Sequence, residues 1–410
     1  MFKIILIAFV LFFTPVHAHY GRDYLDSINF KIAIYGPADD LARWWGHVAV
    51  VVEDKRTGFE RSFDWGDYYY PSRFFLKDFL RKRVRRFVSS SEHDIAGYMW
   101  QDRDIVVYNL NLDRQSKEIM LSYLEKVILP ENRYHPYHNF RENCATGVRD
   151  AIDLAIGGQF KAAFGNVPGR FTHRQHMMRY TLFRPLSEWL LNFLLGPDID
   201  EKITVWDEMF LPVEIARNIV DFKYIDNYGE ERNLVSSVQI IYSSKNRFPI
   251  LNNPINTMPL SLAAGLFFMA LIFWVDGMRK KYPTSGRIIL GLFQSALGLL
   301  LGIFSSILTI GLLMGIVYPQ QNINIWFVNP LLFVVVPLGF LLTINKSFFI
   351  NTEKLLRAIW TYVFIAGCIT LLLRILPSFY QQNLSICALI LPVAFALSYV
   401  PEKLYKLTKR

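Results

Sequence analysis

The sequence is short of cysteine. Three occur in 410 residues, at positions 144, 368 and 387, and the last two lie in strongly apolar runs. A disulfide-stapled scaffold is therefore excluded, because the polar part of the chain holds one thiol with no partner. Other signatures are missing as well. There is no Gly-rich phosphate loop, no G-x-S-x-G elbow, no C-x-x-C pair and no H-E-x-x-H helix. These absences count against phosphate-loop chemistry, serine-hydrolase chemistry and the commonest zinc sites. No internal repeat and no low-complexity tract is found.

What is present is unevenly distributed. The chain is 52% hydrophobic. Residues 20 to 250 read as an ordinary mixed domain, whereas 258 to 400 are dominated by Leu, Ile, Phe and Gly. The polar, proline-bearing stretch "NRFPILNNPINTMP" separates the two. At the start, Ile4 to Phe13 is an apolar core too short to span a bilayer, and Val16-His17-Ala18 resembles a small-residue cleavage site. The organisation expected is a signal peptide over 1–18, an extracytoplasmic domain over 19–250 and a transmembrane domain over 251–410. An uncleaved anchor is the alternative reading of the first segment.

Five spans are expected, near 258–276, 288–318, 325–344, 355–376 and 384–400. The loops orient them, because lysine and arginine stay cytoplasmic. Arg279, Lys280, Lys281 and Arg287 follow the first span, and Lys346, Lys354 and Arg357 follow the third. Lys403, Lys406, Lys409 and Arg410 form the tail. The alternate loops, "YPQQNIN" and "PSFYQQN", carry no charge. This alternation predicts an outer N-terminal domain and an inner tail. It accounts for much of the net charge of +9. A further basic run, "RKRVRRF", lies in the outer domain, as a solvated helix face or a surface for anionic lipid head groups. Nucleic acid is not an expected partner outside the cytoplasm. Span two carries "GLLLG" and "GLLMG", spacings suited to close helix packing and no evidence of function.

The lone thiol of the outer domain is Cys144, in "RENCATGVRD". Val148, Ile152 and Ala155 recur at helical spacing behind it, and Asn143 suits an N-cap. Cys144 is then the first helical residue. The partial positive charge of a helix N-terminus favours a nucleophilic thiolate. A small buried cysteine on a helix is the alternative. A thiolate nucleophile needs a base. His93 sits in polar "SSSEHD", His135 and His138 lie just upstream of the cysteine, and His173 and His176 lie in helical-looking "FTHRQHMMRY". His47 opens the β-branched run "HVAVVV", which reads as a buried strand. "EDKRTG" reads as a turn and "FERSFDW" as a second strand. Folding this hairpin about residues 55 and 56 brings His47 opposite Asp64 or its neighbour, where a carboxylate could orient the imidazole. His135, His138 and Cys144 lack any recognised metal spacing, so neither a metal nor another cofactor is expected.

The segments "WWGHVAVVV", "FDWGDYYYP", "YHPYHNFRENCATGVRD" and "LLGPDIDEKITVWDEMFLP" resemble the successive signatures of the Lnb-type N-terminal periplasmic domain family, which is linked to bacterial lipoprotein N-acylation. The resemblance covers about residues 28 to 245. The wider group to which it is similar is the circularly permuted papain-like enzymes, with NlpC-type peptidases and lecithin:retinol acyltransferase-like enzymes among them. There the His-bearing strand precedes the Cys-bearing helix. The resemblance implies an α+β, NlpC-like domain, with Cys144 as nucleophile and His47 as base. The two histidines before Asn143 depart from the pattern and keep a second base in play.

The same resemblance implies a chemistry. A phospholipid ester gives its acyl chain to Cys144, and the N-terminal amine of a lipoprotein takes it from the thioester. The backbone N–H groups of Cys144 and Asn143 are candidate oxyanion donors. Trp44, Trp45, Trp65 and Tyr68 to Tyr70, Tyr69 among them, are candidates for a membrane-interface collar that holds the acyl chain. Core packing is the alternative for these rings. A hydrolase on the same residues, acting on cell-wall peptide or phospholipid, and a non-catalytic membrane sensor are the competing functions. An inner-membrane location in a bacterium, with the catalytic domain in the periplasm, follows from the resemblance and the loop charges.

Overall fold

The computed structural model describes residues 22–39, 43–68, 85–136, 138–181, 183–315, 320–344 and 349–399. The signal-peptide segment, Tyr69, most of "RKRVRRF" and the basic tail lie outside the described residues. The outer domain opens with α1 (Arg22–Ser27), β1 (Ile28–Tyr35), β2 (His47–Asp54), β3 (Phe59–Tyr68) and β4 (Arg85–Glu92). It continues with α2 (Ile95–Trp100), β5 (Ile105–Leu110), α3 (Arg114–Val127) and β6 (Tyr134–Pro136). Next come α4 (Cys144–Ala155), α5 (Gln159–Phe164), α6 (His173–Thr181), α7 (Pro185–Leu194), α8 (Val205–Glu208) and α9 (Pro212–Ile219). A small β7–β8 pair (Lys223–Ile225 and Glu231–Asn233) and β9 (Val235–Tyr242) complete it.

Helices are thus mixed with one antiparallel sheet of seven strands, in the order β6-β4-β3-β2-β1-β5-β9. The sheet is larger than the predicted hairpin because β5 and β9 join from far along the chain. Alternation along β2 sorts its side chains onto two buried faces, which is why "HVAVVV" is apolar throughout. Val48, Val50 and Val52 share one core with Phe63, Trp65 and the α4 stripe Val148, Ile152 and Ala155. Ala49 and Val51 share another with Ala33, Tyr35, Ile105 and Val107, packed against Ile95 and Tyr98 of α2. Each fully buried large aliphatic side chain contributes about 1.5–3 kcal/mol. The helix that carries Cys144 is therefore held flat on the sheet by its own core face.

The apolar half forms α10 (Met258–Met278), α11 (Pro283–Leu313), α12 (Val335–Ile344), α13 (Phe349–Leu373) and α14 (Leu384–Tyr399). Among the described residues, four segments are long and apolar enough to cross a membrane: Met258–Met278, Pro283–Leu313, Ile323–Ile344 and Asn351–Leu373. The predicted fifth span falls short of that criterion. It is a helix of 16 residues, about 24 Å at 1.5 Å per residue against an apolar thickness of roughly 30 Å. The "GLLLG" glycines pack helices: a Cβ on Gly298 would meet Val335, and one on Gly302 would meet Phe333.

The two uncharged loops dock against the outer domain. Asn322 and Asn324 both donate side-chain hydrogen bonds to the Phe193 carbonyl, at 2.8 and 3.0 Å. Gln381 donates to the Leu195 carbonyl, and the Gln382 backbone N–H donates to Asp200. The last carbonyls of a helix have no partner within it, and here loop amides supply partners at the end of α7. At the far end of α10, Arg279 pairs with Glu353 at 2.5 Å.

Candidate active site

Cys144 begins α4. Asn143 precedes it with extended backbone, and its Oδ1 accepts the Thr146 N–H at 3.0 Å. Thr146 Oγ1 in turn accepts the Asn143 N–H at 2.8 Å. This reciprocal cap satisfies two donors and fixes the helix start at Cys144. The Asn143 amide group donates to the carbonyls of Asn139 and Phe210, at 2.7 and 2.9 Å. Asn143 therefore spends its polar atoms on positioning. The expectation that its backbone N–H stabilises an oxyanion is corrected by the Thr146 bond.

His47 is the first residue of β2. Its Nε2 lies 2.5 Å from Asp64 Oδ2. The other Asp64 oxygen accepts the Gly66 N–H at 2.6 Å. Cys144 is the second group close enough to this imidazole for its charge to act on it. Burial pulls the His47 pKa down, but the Asp64 carboxylate and Cys144 overcome it and hold the imidazole protonated well above its ordinary value. His47 and Asp64 keep 16% and 21% of their side-chain surface exposed, so the pair is reachable from outside.

Two glycines make room for this arrangement. A Cβ on Gly66 would lie 2.9 Å from Asp64 Oδ1 and 3.1 Å from His47 Cε1. A Cβ on Gly147, one turn into α4, would come within 2.5 Å of the Trp65 ring. The first glycine opens the imidazole–carboxylate contact. The second lets the Cys144 helix approach β3.

The other described histidines lie elsewhere. His138 Nδ1 accepts the Phe140 N–H at 3.3 Å, within its own loop. His173 lies against Phe140 and Phe210, and burial pushes its pKa down to about 4. His176 is buried between Glu208 and Arg179. His93 bonds Tyr35 and Glu60. The side chain of His135 lies outside the described residues. Among the described histidines, the geometry brings His47 to Cys144.

The residues predicted as an acyl-chain collar divide. Trp65 is 5% exposed, lodged in the core against Gly147, and so is a packing residue. Trp44 is also buried. Its indole N–H donates to the Asp39 carbonyl and Arg184 lies 4.6 Å above its ring. Trp45 is half-buried beside Tyr180, Phe210, Leu211, Phe140 and Ile250. It is the described collar residue that lies between the Cys144 loop and the segment leading to α10.

A partly buried thiol at a capped helix N-terminus, beside an imidazole that a carboxylate orients, is the arrangement of a nucleophile with its base. Residues 18–179 match the family model of the Lnb N-terminal periplasmic domain. That segment is similar to this family. Cys144, His47 and Asp64 all fall inside the Lnb segment. Neither a curated protein nor a solved structure matches the chain. A periplasmic domain joined to four helices apolar enough to cross a membrane makes this a membrane protein. Sequence reasoning missed Tyr35 and Tyr98, whose rings stack beside His47. For Tyr35 the signal was the alternation of β1, which puts it directly opposite His47.

Proposed function

We propose that the protein is a thiol acyltransferase of the bacterial inner membrane, which moves an acyl chain from phospholipid through a Cys144 thioester to the N-terminal amine of a lipoprotein. The contact of His47 with both Cys144 and Asp64, on an Lnb domain tied to membrane helices, is the observation that supports it. The Cys144 sulfur attacks the ester carbonyl. The C–O bond breaks, and the lysophospholipid oxygen leaves with the proton held by the His47 imidazolium. The neutral amine of the acceptor then attacks the thioester carbonyl. His47 takes the amine proton, and the C–S bond breaks to return the thiolate. The backbone N–H of Cys144 stabilises the developing oxyanion in this scheme. Asp64 keeps the imidazole oriented throughout. No metal or cofactor takes part in either step.

A membrane-seated domain suits two lipid-anchored substrates, which need never leave the bilayer surface. Hydrolysis by the same residues is the second reading, favoured by the residual exposure of His47 and Asp64. The test offers phospholipid to the purified full chain, with and without a diacylated peptide bearing a free N-terminal cysteine. Transfer predicts a hydroxylamine-labile acyl adduct on Cys144, N-acylated peptide, and slow fatty-acid release when peptide is absent. Rapid fatty-acid release regardless of peptide would make the protein a phospholipase. Cleavage of wall-derived peptides with no effect on lipid would make it a peptidase.

A further inference from the structure

We propose that Tyr35, locked at its hydroxyl by His93 and Glu60, is a positioning residue that sets the plane of the His47 imidazole. The inference rests on Cys144 and His47 acting as a thiol–imidazole pair. Tyr35 and His47 are directly opposite in the β1–β2 register. Their rings are nearly parallel, 17° apart, with centroids 5.9 Å apart. Tyr98 of α2 stacks on Tyr35 at 3.7 Å and 11°, and lies 6.5 Å from His47. Arg103 sits 4.9 Å from the Tyr98 ring. The groups facing His47 are thus Tyr35 from β1, Asp64 from β3, Tyr98 from α2 and Cys144 from α4, with Arg103 behind the tyrosines.

A chain of short bonds runs away from the site. The Tyr35 hydroxyl lies 2.6 Å from His93 Nε2. His93 Nδ1 lies 2.7 Å from Glu60 Oε2, and Glu60 accepts from Lys31 at 2.6 Å. A carboxylate only accepts, so His93 donates from Nδ1 and leaves the Nε2 lone pair for the Tyr35 hydroxyl. Tyr35 is 1% exposed, and the His93 side chain 2%. An apolar pair of the same volume would fill this space without burying a hydroxyl, an imidazole and an ion pair. What the polar chain adds is a single orientation for the Tyr35 ring, and through it for the ring beside it. His47 needs that support. It is the first residue of its strand, yet it must meet Asp64 and Cys144 at once.

The test follows the pH dependence of Cys144 alkylation by iodoacetamide in the detergent-solubilised full chain, read as modified Cys144 peptide by mass. The reaction needs no substrate and reports how far His47 activates the sulfur. His93→Leu removes both bonds, whereas His93→Gln keeps an amide donor for Glu60 and an acceptor for Tyr35. His93→Leu is expected to slow alkylation near pH 6 about tenfold, with His93→Gln within about twofold of wild type. Tyr35→Phe keeps the ring and drops the anchor, so it slows alkylation likewise even where His93→Leu does not fold. A wild-type profile in folded His93→Leu or in Tyr35→Phe overturns the positioning role. A wild-type profile in His47→Ala overturns the thiol–imidazole pair instead.

Discussion

In the proposed reaction Cys144 and His47 carry the chemistry as single residues, and their variants separate function from fold. Cys144→Ser is nearly isosteric but far less nucleophilic at neutral pH, so thioester formation should vanish while the thermal transition stays in place. His47→Ala should be nearly as severe, and Asp64→Asn milder. His138→Ala should leave acyl transfer intact; loss of activity there, with activity kept in His47→Ala, would reassign the base. The raised His47 pKa adds a pH dependence. The leaving oxygen takes its proton from imidazolium, so the first step should persist above neutral pH and fall as His47 deprotonates. Asp64→Asn removes one cause of the raised value and should move this alkaline limb to lower pH. A limb that stays in place would show that Asp64 does not hold the proton. Stability follows the same sign. The His47–Asp64 attraction is fully present below the ordinary histidine value and fades as pH rises through the raised one, so the thermal advantage of wild type over Asp64→Asn should shrink on the alkaline side. Gly66→Ala is a steric counterpart. Its Cβ would press on Asp64 Oδ1 and His47 Cε1, and acyl-enzyme formation should fall more than the melting temperature does.

At the scale of elements, the helix start and the hairpin show what a sequence can and cannot disclose. The start of α4 is legible because capping is local: Asn143, Thr146 and the stripe at 148, 152 and 155 lie within a few turns. The hairpin is legible as two strands, but its register is not. Val50 pairs with Phe63, so the turn sits further along than residues 55 and 56, and Asp64 stands diagonal to His47 and level with Ala49. A diagonal neighbour on one face is still within reach of a long side chain, and His47 and Asp64 meet that way. Tyr35, His93 and Glu60 were illegible as a group, because three separate strand pairings are needed to bring them together. The collar reading of Trp65 failed for a related reason: an aromatic residue beside a site residue on a strand points to the opposite face, and here that face is the core. The cap makes its own prediction. Asn143→Ala removes the Thr146 acceptor and strands the carbonyls of Asn139 and Phe210. It should destabilise the domain by about 2–3 kcal/mol in chemical denaturation. Asn143→Asp, which keeps the acceptor, should recover part of that.

Across the whole molecule, the decisive feature is the amide seam between α7 and the two uncharged loops. Charge counting marked those loops as outward-facing, yet nothing in their composition revealed a dock. Behind the seam, Arg174 pairs with Asp200 at 2.6 Å and bonds the carbonyls of Leu195 and Gly196. Arg174→Met would leave the Asp200 carboxylate buried without its cation, a loss of about 3–5 kcal/mol. Limited proteolysis should then cut the segment before α10 faster than in wild type, while Cys144 alkylation in the intact outer domain continues. The edge strand β9 has a different kind of consequence. It pairs with β5, whose residues were made far earlier, and Tyr242 is separated from α10 by one short segment. During synthesis the periplasmic sheet gains its last strand only as the first membrane helix is about to emerge. Until then β5 has an open edge on the far side of the membrane, and strands of such wide sequence separation close slowly. Export, arrest in the bilayer and completion of the sheet are thus compressed into one interval of biogenesis. A chain stalled just before α10 would hold Cys144 and His47 on an unfinished sheet, without the helices that follow.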